Sequence, residues 1–141
     1  MTDARIFTLE EAERTLPLLR RILTDLKGEY AVWQEALGDY ELLSAGVRAQ
    51  DGEPEDLVAA RRVVTQSADR ISEYLEEIEA IGCLFKGFDA GLVDFYSLRG
   101  DRLVFLCWRV DEARITHWHE IEAGYAGRQP IDAMFLTTTL S

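Results

Sequence analysis

The spacing of hydrophobic positions changes at Gly82, which divides the chain into a helical part and a β-rich part. Before Gly82, apolar residues recur at intervals of three and four, as they do along one face of an α-helix. One such seam covers Leu16–Tyr40, and a second covers Leu57–Ile78. Beyond Gly82, short apolar runs are separated by glycine-bearing turns, a pattern typical of strands. The pattern therefore predicts a helical part over 8–81 and a β-rich part with a C-terminal tail over 82–141.

Local signals predict where the helices begin and end. Thr8 and Glu11 have the spacing of a capping box, in which each side chain accepts from the backbone N–H of the other. Pro17 is unsuited to a helix interior, so we expect a short first helix to end before it, rather than one kinked helix to continue. A polar connector over 45–54 precedes a third helix, which Gly82 should end as a C′ residue. The two long helices are therefore expected to form an antiparallel hairpin.

The β-rich part reads as a small, mainly antiparallel sheet. The strand-like runs share apolar, β-branched and aromatic residues, and they cover 83–86, 92–98, 103–109 and 115–121. Gly100-Asp101 between the second and third runs is a hairpin signal. Residues 134–140 are β-branched and aromatic, which is typical of a segment that pairs with a sheet or drapes over it. The expected fold class is α+β: a long antiparallel helical hairpin with a short leading helix, packed with a sheet over 83–121.

Composition and charge narrow the class of protein. A chain of 141 residues with 48% hydrophobic residues fits a single domain, 1–141, with a real core. The net charge is -11, and 18 of the 26 acidic residues lie in 1–81. Such a charge would repel phosphate backbones and anionic membranes, so we expect neither nucleic acid nor membrane as a partner. The sequence has no signal-peptide pattern and no bilayer-length apolar run, which predicts a cytoplasmic protein with reduced thiols.

The candidate chemistry lies in the β-rich part. In the run Leu92–Tyr96, alternation turns Asp94 away from its apolar neighbours. It is then a solvent-facing acid, an acid paired with a nearby arginine, or a carboxylate in a cleft that acts as base or metal ligand. Arg128 follows two glycines and could bind an anion or pair with Asp94, Glu112 or Glu120. These residues, with the two histidines, are the candidate polar cluster: Asp94, Glu112, His117, His119 and Arg128.

His117 and His119 would share one face if their segment is extended. With Glu112, Glu120 or Asp94 completing the shell, they could then hold a divalent metal, the one cofactor that the sequence suggests. The alternative is that His119 bonds a backbone carbonyl beside Trp118. Strand alternation assigns Phe105, Cys107 and Trp118 to a buried set. Since no basic neighbour activates Cys107, a cysteine nucleophile is set aside.

Several sequence blocks together resemble a known family. The blocks are Phe7-Thr8-Leu9-Glu10-Glu11-Ala12, Leu16-Pro17-Leu18, Gly82-Cys83 with Lys86, Gly91-Leu92-Val93-Asp94-Phe95, Leu106-Cys107-Trp108, Glu112, Trp118-His119 and Gly124-Tyr125-Ala126-Gly127-Arg128-Gln129-Pro130-Ile131. Over nearly its whole length the chain resembles the uncharacterised bacterial family catalogued as domain of unknown function 2203. In that family a glycine usually precedes the acid that matches Glu112, whereas this chain has Asp111. The resemblance implies no activity, but it implies that the blocks around the candidate residues belong to the family's pattern.

Two classes of function remain open on these observations. The first is a non-enzymatic assembly or interaction module. It would form a homodimer or a larger homo-oligomer through the hairpin, because helices longer than the sheet leave part of their seam uncovered. The second is a metal-binding or acid–base site of a small hydrolase-like enzyme built on the β-rich half. The sequence favours the first class.

Overall fold

The computed structural model describes residues 5–138, and it has the predicted α+β class. In chain order the elements are α1 (Leu9–Arg14), α2 (Leu16–Ala45), a 3₁₀ turn (Ala49–Asp51), α3 (Glu55–Ile81), β1 (Leu84–Gly87), β2 (Leu92–Arg99), β3 (Arg102–Arg109), β4 (His117–His119), a 3₁₀ turn (Tyr125–Gly127), β5 (Gln129–Pro130) and α4 (Ala133–Thr138). Two compact units are present. One unit runs up to Leu23 and resumes at Glu76, and the other is Thr24–Leu75. No helix among the described residues is long and apolar enough to cross a bilayer.

The predicted signals at the helix ends are confirmed. The Thr8 backbone N–H donates to Glu11 Oε1 at 2.9 Å, and the Glu11 N–H donates to Thr8 Oγ1 at 3.0 Å. Helix α1 ends at Arg14 and α2 begins at Leu16, so Pro17 lies in the first turn of α2, where its missing N–H costs nothing. Gly82 follows α3 with a φ of 104°, as expected of a C′ glycine.

The unit Thr24–Leu75 contains most of the two long helices, in an antiparallel arrangement. Glu29 on α2 forms an ion pair with Arg70 on α3, with 3.6 Å between Oε1 and Nη1. Farther along α2, Tyr40 lies near Arg61 on α3, which also pairs with Glu53. As the residue number rises along α2, the number of the contacting residue on α3 falls, as it does in any antiparallel pair of helices. The predicted hairpin is therefore confirmed.

The sheet in the other unit has five strands in the order β1-β2-β3-β4-β5, and each neighbouring pair is antiparallel. Arg99 pairs with Arg102 across the two-residue turn Gly100-Asp101, as the hairpin signal predicted. Gly100 has a φ of 66°, a conformation that an L residue adopts only at a cost. The sheet also continues past the predicted limit at residue 121, since β5 adds a short fifth strand at Gln129–Pro130.

Of the two predictions for residues 134–140, pairing with the sheet is wrong for the part that is described, because this part is a helix that lies against the sheet. Residues Ala133–Thr138 form α4, and residues 139–141 lie outside the described part of the chain. Asp132 starts this helix, because its Oδ1 accepts from the Met134 N–H at 3.2 Å. Phe135 is buried with its ring 5.8 Å from that of Trp118. The cap and this contact outweigh the β propensity of the segment.

The two faces of the sheet differ in chemistry. One face is apolar and is formed by Val93, Phe95, Val104, Leu106, Trp108 and Trp118, all buried. Phe7 packs against this face, with its ring 5.1 Å from that of Phe95 in an edge-on contact. The opposite face has a polar centre, because Asp94 pairs with Cys107 and Cys107 pairs with His117. His119 lies on that same face, two residues farther along β4.

Candidate metal centre

Three adjacent strands bring together a buried acid, a thiol and an imidazole. Asp94 on β2, Cys107 on β3 and His119 on β4 each offer one atom, and these three atoms all lie within 4.8 Å of one another. The residues are exposed by only 3%, 0% and 2%, respectively. Among the described residues, this is the group of three or more such side chains that could hold a metal ion.

The hydrogen bonds of His119 determine which of its ring nitrogens carries a proton. Nδ1 lies 2.7 Å from the carbonyl oxygen of Glu120. A carbonyl oxygen can only accept, so Nδ1 is the donor. In the neutral ring Nε2 then has a lone pair, and it lies 3.1 and 3.2 Å from the two carboxylate oxygens of Asp94. Two acceptors at this distance attract only if a proton or another cation lies between them.

Asp94 is neither solvent-facing nor paired with an arginine. Burial raises the pKa of its carboxyl above the ordinary value, and the nearby His119 and Lys86 act in the opposite direction. The candidate acid therefore lies in a buried polar site beside an imidazole. Cross-strand pairing with Cys107 fixes its position.

Cys107 is a protonated thiol in the absence of a metal. Burial raises its pKa to about 12, and the negative charge of Asp94 adds to the shift, while Arg128 opposes it. Such a thiol is a poor nucleophile, in keeping with the expectation from sequence. Phe105, Cys107 and Trp118 are all buried, as predicted. However, Phe105 and Cys107 lie on the face of His119 rather than with Trp118. The prediction that the buried residues and the polar candidates form separate sets is therefore wrong, because His119 is itself buried.

Glu112 and Arg128 form an ion pair beside this cluster. Arg128 Nη2 lies 2.8 and 3.0 Å from the two Glu112 carboxylate oxygens, and it also donates to the Cys107 carbonyl oxygen at 3.1 Å. Glu112 Oε1 accepts a further bond from the Arg109 N–H at 2.8 Å. The Tyr125 ring lies 4.9 Å from the guanidinium carbon of Arg128. Of the three acids considered as partners for Arg128, the structure selects Glu112.

His117 shares the face of His119 but has a different environment. Its Nδ1 lies 2.8 Å from Thr116 Oγ1, and the residue is partly exposed. The sequence suggested His117, His119 and Glu112 as metal ligands, and His119 is the one of the three that belongs to the buried cluster. Asp94, which the sequence offered as a candidate, faces His119 Nε2 at 3.1 Å.

Sequence reasoning missed Cys107 as a member of the site, although a signal for it exists. A two-residue turn at Gly100-Asp101 makes two residues face each other when their numbers sum to 201. Asp94 and Cys107 meet this condition, and so they are direct neighbours on one face. Because Cys107 lies between Leu106 and Trp108, it resembles a small hydrophobic residue of the core.

The fold and this cluster define a small α+β protein with a buried acid–thiol–imidazole group on one face of an antiparallel sheet. The chain belongs to the family described as "Uncharacterized conserved protein (DUF2203)", whose sequence profile matches residues 5–131. The match spans all three members of the cluster, together with Glu112 and Arg128. No curated protein and no solved structure shows significant similarity to the chain.

Proposed function

We propose that this protein binds a divalent transition metal, with Zn²⁺ the best match, through Asp94, Cys107 and His119. The observation that carries the proposal is the buried approach of His119 Nε2 to the Asp94 carboxylate, at 3.1 Å. A metal ion between them would use both lone pairs. A carboxylate, a thiolate and an imidazole together form a ligand set that suits zinc.

The distances support this assignment. Tetrahedral zinc with bonds of about 2.0 to 2.1 Å to nitrogen and oxygen keeps those ligand atoms about 3.3 Å apart. The Nε2–Oδ distances of 3.1 and 3.2 Å are close to that value. With the longer zinc–sulfur bond, the Cys107 sulfur would stand about 3.6 Å from the other ligand atoms. Since all three atoms already lie within 4.8 Å, the site would contract by at most about 1.2 Å.

The surroundings of His119 and the charge balance add support. Histidine ligands usually donate their second N–H to a carboxylate or a carbonyl, and Nδ1 of His119 is held by the Glu120 carbonyl. A thiolate and a carboxylate carry two negative charges, which neutralise a divalent ion in a buried site. The charge of Arg128 partly offsets the burial that raises the pKa of Cys107, and it would help the thiol to lose its proton when a metal binds.

The test is metal content and cobalt spectroscopy on the purified full chain. We expect one Zn²⁺ per chain by elemental analysis after equilibrium dialysis. Replacement with Co²⁺ should give a thiolate-to-metal charge-transfer band that disappears in Cys107→Ser. His119→Ala should lower the affinity for metal by at least about 100-fold, as expected for the loss of a ligand.

The chain offers a matched control for each variant. Cys83 is also buried and its pKa is also raised to about 12, but it lies outside the cluster, so Cys83→Ser should keep the cobalt band. His117→Ala removes the other histidine of the same strand and should keep the metal. The proposal fails if the wild type takes up no stoichiometric metal, or if the variants of Cys83 and His117 lose it as readily as those of Cys107 and His119.

We propose as a second function that copies of the chain associate through the hairpin unit Thr24–Leu75. Three large apolar side chains of this unit, Val32, Leu42 and Val63, are exposed to solvent, and Leu42 is 79% exposed. Exposed apolar residues on long helices often mark a subunit interface. Light scattering after size exclusion should give a mass of at least two chains, and Leu42→Glu should reduce it. A monomer at micromolar concentration would contradict this proposal, and Leu103→Glu, at an exposed apolar position of β3, is the control.

A further inference from the structure

A cavity lies between α1 and the chain segment that leads into β4, and none of the metal-cluster residues lines it. It has a volume of about 370 Å³ and is lined by Leu9, Glu13, Arg114, Ile115, Thr116 and Ile131. The apolar part comes from one leucine and two isoleucines, and Leu9 and Ile115 are largely buried. Its size falls in the range of small-molecule sites, and an apolar wall with a few polar groups is typical of them.

Glu13 is the fixed polar group of this cavity. Its side chain is 22% exposed, and its Oε2 accepts from the Ile115 backbone N–H at 3.2 Å. The backbone bond holds the carboxylate against the segment that leads into β4, beside the apolar wall. Helix α1, which carries Glu13, is itself held by the capping box at Thr8. A negative charge therefore stays in place at the edge of the cavity.

The side chain of Arg114, which pairs with Glu13, is much less constrained than the Glu13 carboxylate. The Arg114 side chain is 76% exposed, and its two bonds to Glu13 are both 3.3 Å long. An ion pair with one partner so exposed contributes little to stability, so another cation can replace it. The chain as a whole carries a net charge of -11, which attracts cations and repels anions.

We infer that this cavity binds a small organic cation, an ammonium or guanidinium group on a short aliphatic chain. The cationic group would displace Arg114 from Glu13, and the aliphatic chain would lie against Leu9, Ile115 and Ile131. This site is separate from the proposed metal centre and depends on none of its ligands. Its failure would leave the metal proposal untouched.

The test is an NMR titration of the full chain with hexylammonium and, as the matched anion, hexanoate. Hexylammonium should shift the amide signals of Glu13, Ile115, Thr116 and Ile131 in a saturable way, and hexanoate should not. Glu13→Gln keeps an acceptor for the Ile115 N–H but loses the charge, and it should weaken binding about tenfold or more. Arg114→Ala removes the competing cation, so binding should stay equal or become tighter.

Glu10→Gln is the control, since it removes one charge from the same helix at an exposed position that does not line the cavity. It should leave binding of hexylammonium unchanged. The inference is overturned if hexanoate binds better than hexylammonium, if Arg114→Ala abolishes binding, or if neither probe saturates at millimolar concentration. If Glu13→Gln does not fold, the comparison of the two probes and the Arg114→Ala variant still decides the question.

Discussion

Replacement of Asp94 by asparagine in the metal-free protein tests the proton arrangement on which the candidate site depends. In wild type, His119 Nε2 faces the Asp94 carboxylate at 3.1 Å while Nδ1 donates to the Glu120 carbonyl. The asparagine amide has nearly the same shape as the carboxylate but carries an N–H₂ group. That group can donate to Nε2, so Asp94→Asn would supply the missing proton without a buried charge.

The expected size of the effect follows from two contributions. A new buried hydrogen bond stabilises the fold by about 1 kcal/mol. Burial raises the pKa of Asp94, and each unit of such a rise costs about 1.4 kcal/mol when the carboxyl is ionised. Asp94→Asn should therefore be as stable as wild type at pH 8, or more stable by up to about 2 kcal/mol. By contrast, Asp94→Leu leaves Nε2 without a partner and should cost about 1 to 3 kcal/mol.

The direction of the pH dependence follows from the raised pKa. A carboxyl group whose pKa is higher in the folded state stabilises the fold at pH values below its ordinary pKa, which is 3.8 for Asp94. It loses that contribution as the pH rises through the folded-state pKa. The advantage of Asp94→Asn over wild type should therefore grow as the pH rises from about 4 to 8.

The assay is urea unfolding of chelator-treated protein at several pH values, followed by circular dichroism. A thermal melt should agree, because 1 kcal/mol corresponds to about 3 °C for a chain of this length. If Asp94→Asn loses more than about 2 kcal/mol at pH 8, the reasoning is refuted. His119 would then be a charged imidazolium that requires the carboxylate, and asparagine could not replace it.

Substitutions at three further positions test other parts of the structure. Thr8→Ala removes one half of the capping box of α1 and should lower the free energy of unfolding by about 1 kcal/mol, measured by urea unfolding. Gly91→Ala should cost about 2 kcal/mol or more in the same assay, because φ is +60° and the new Cβ would stand 2.7 Å from Val110 Cγ1; little or no loss would contradict this geometry. Arg128→Ala leaves the largely buried Glu112 carboxylate without its cation and should lower the melting temperature by about 6 °C, or about 2 kcal/mol, whereas Arg128→Lys should recover part of the loss.

Much of the fold could be predicted because its signals are local. The capping box at Thr8 and Glu11, the break before Pro17 and the glycine after α3 each act within a few residues. The Gly100-Asp101 turn likewise sets the register of β2 against β3. The tail was predicted less well, since Phe135 packs against Trp118 in a contact that is distant in sequence.

The candidate site could be predicted only in part, because its members come from three strands. Asp94, His119, Glu112 and Arg128 were all recognised as candidates from their residue types and neighbours. The sequence combined His119 with His117 and Glu112, with Glu120 or Asp94 as alternative ligands, and it left Cys107 out of the site. In the structure, His119 faces Asp94 and Cys107, and Glu112 faces Arg128.

The sequence by itself determined the class of fold, the helix ends and the hairpin register, because the spacing of apolar residues and the turn chemistry act over short distances. Only the tertiary structure decided which polar side chains are buried together. Alternation along β3 determines the face of the sheet on which Cys107 lies, but only the pairing of β4 with β3 places His119 on that same face. The direction of the His119 ring depends further on the Glu120 carbonyl. A buried site is thus determined by contacts between strands, which no single stretch of the sequence contains.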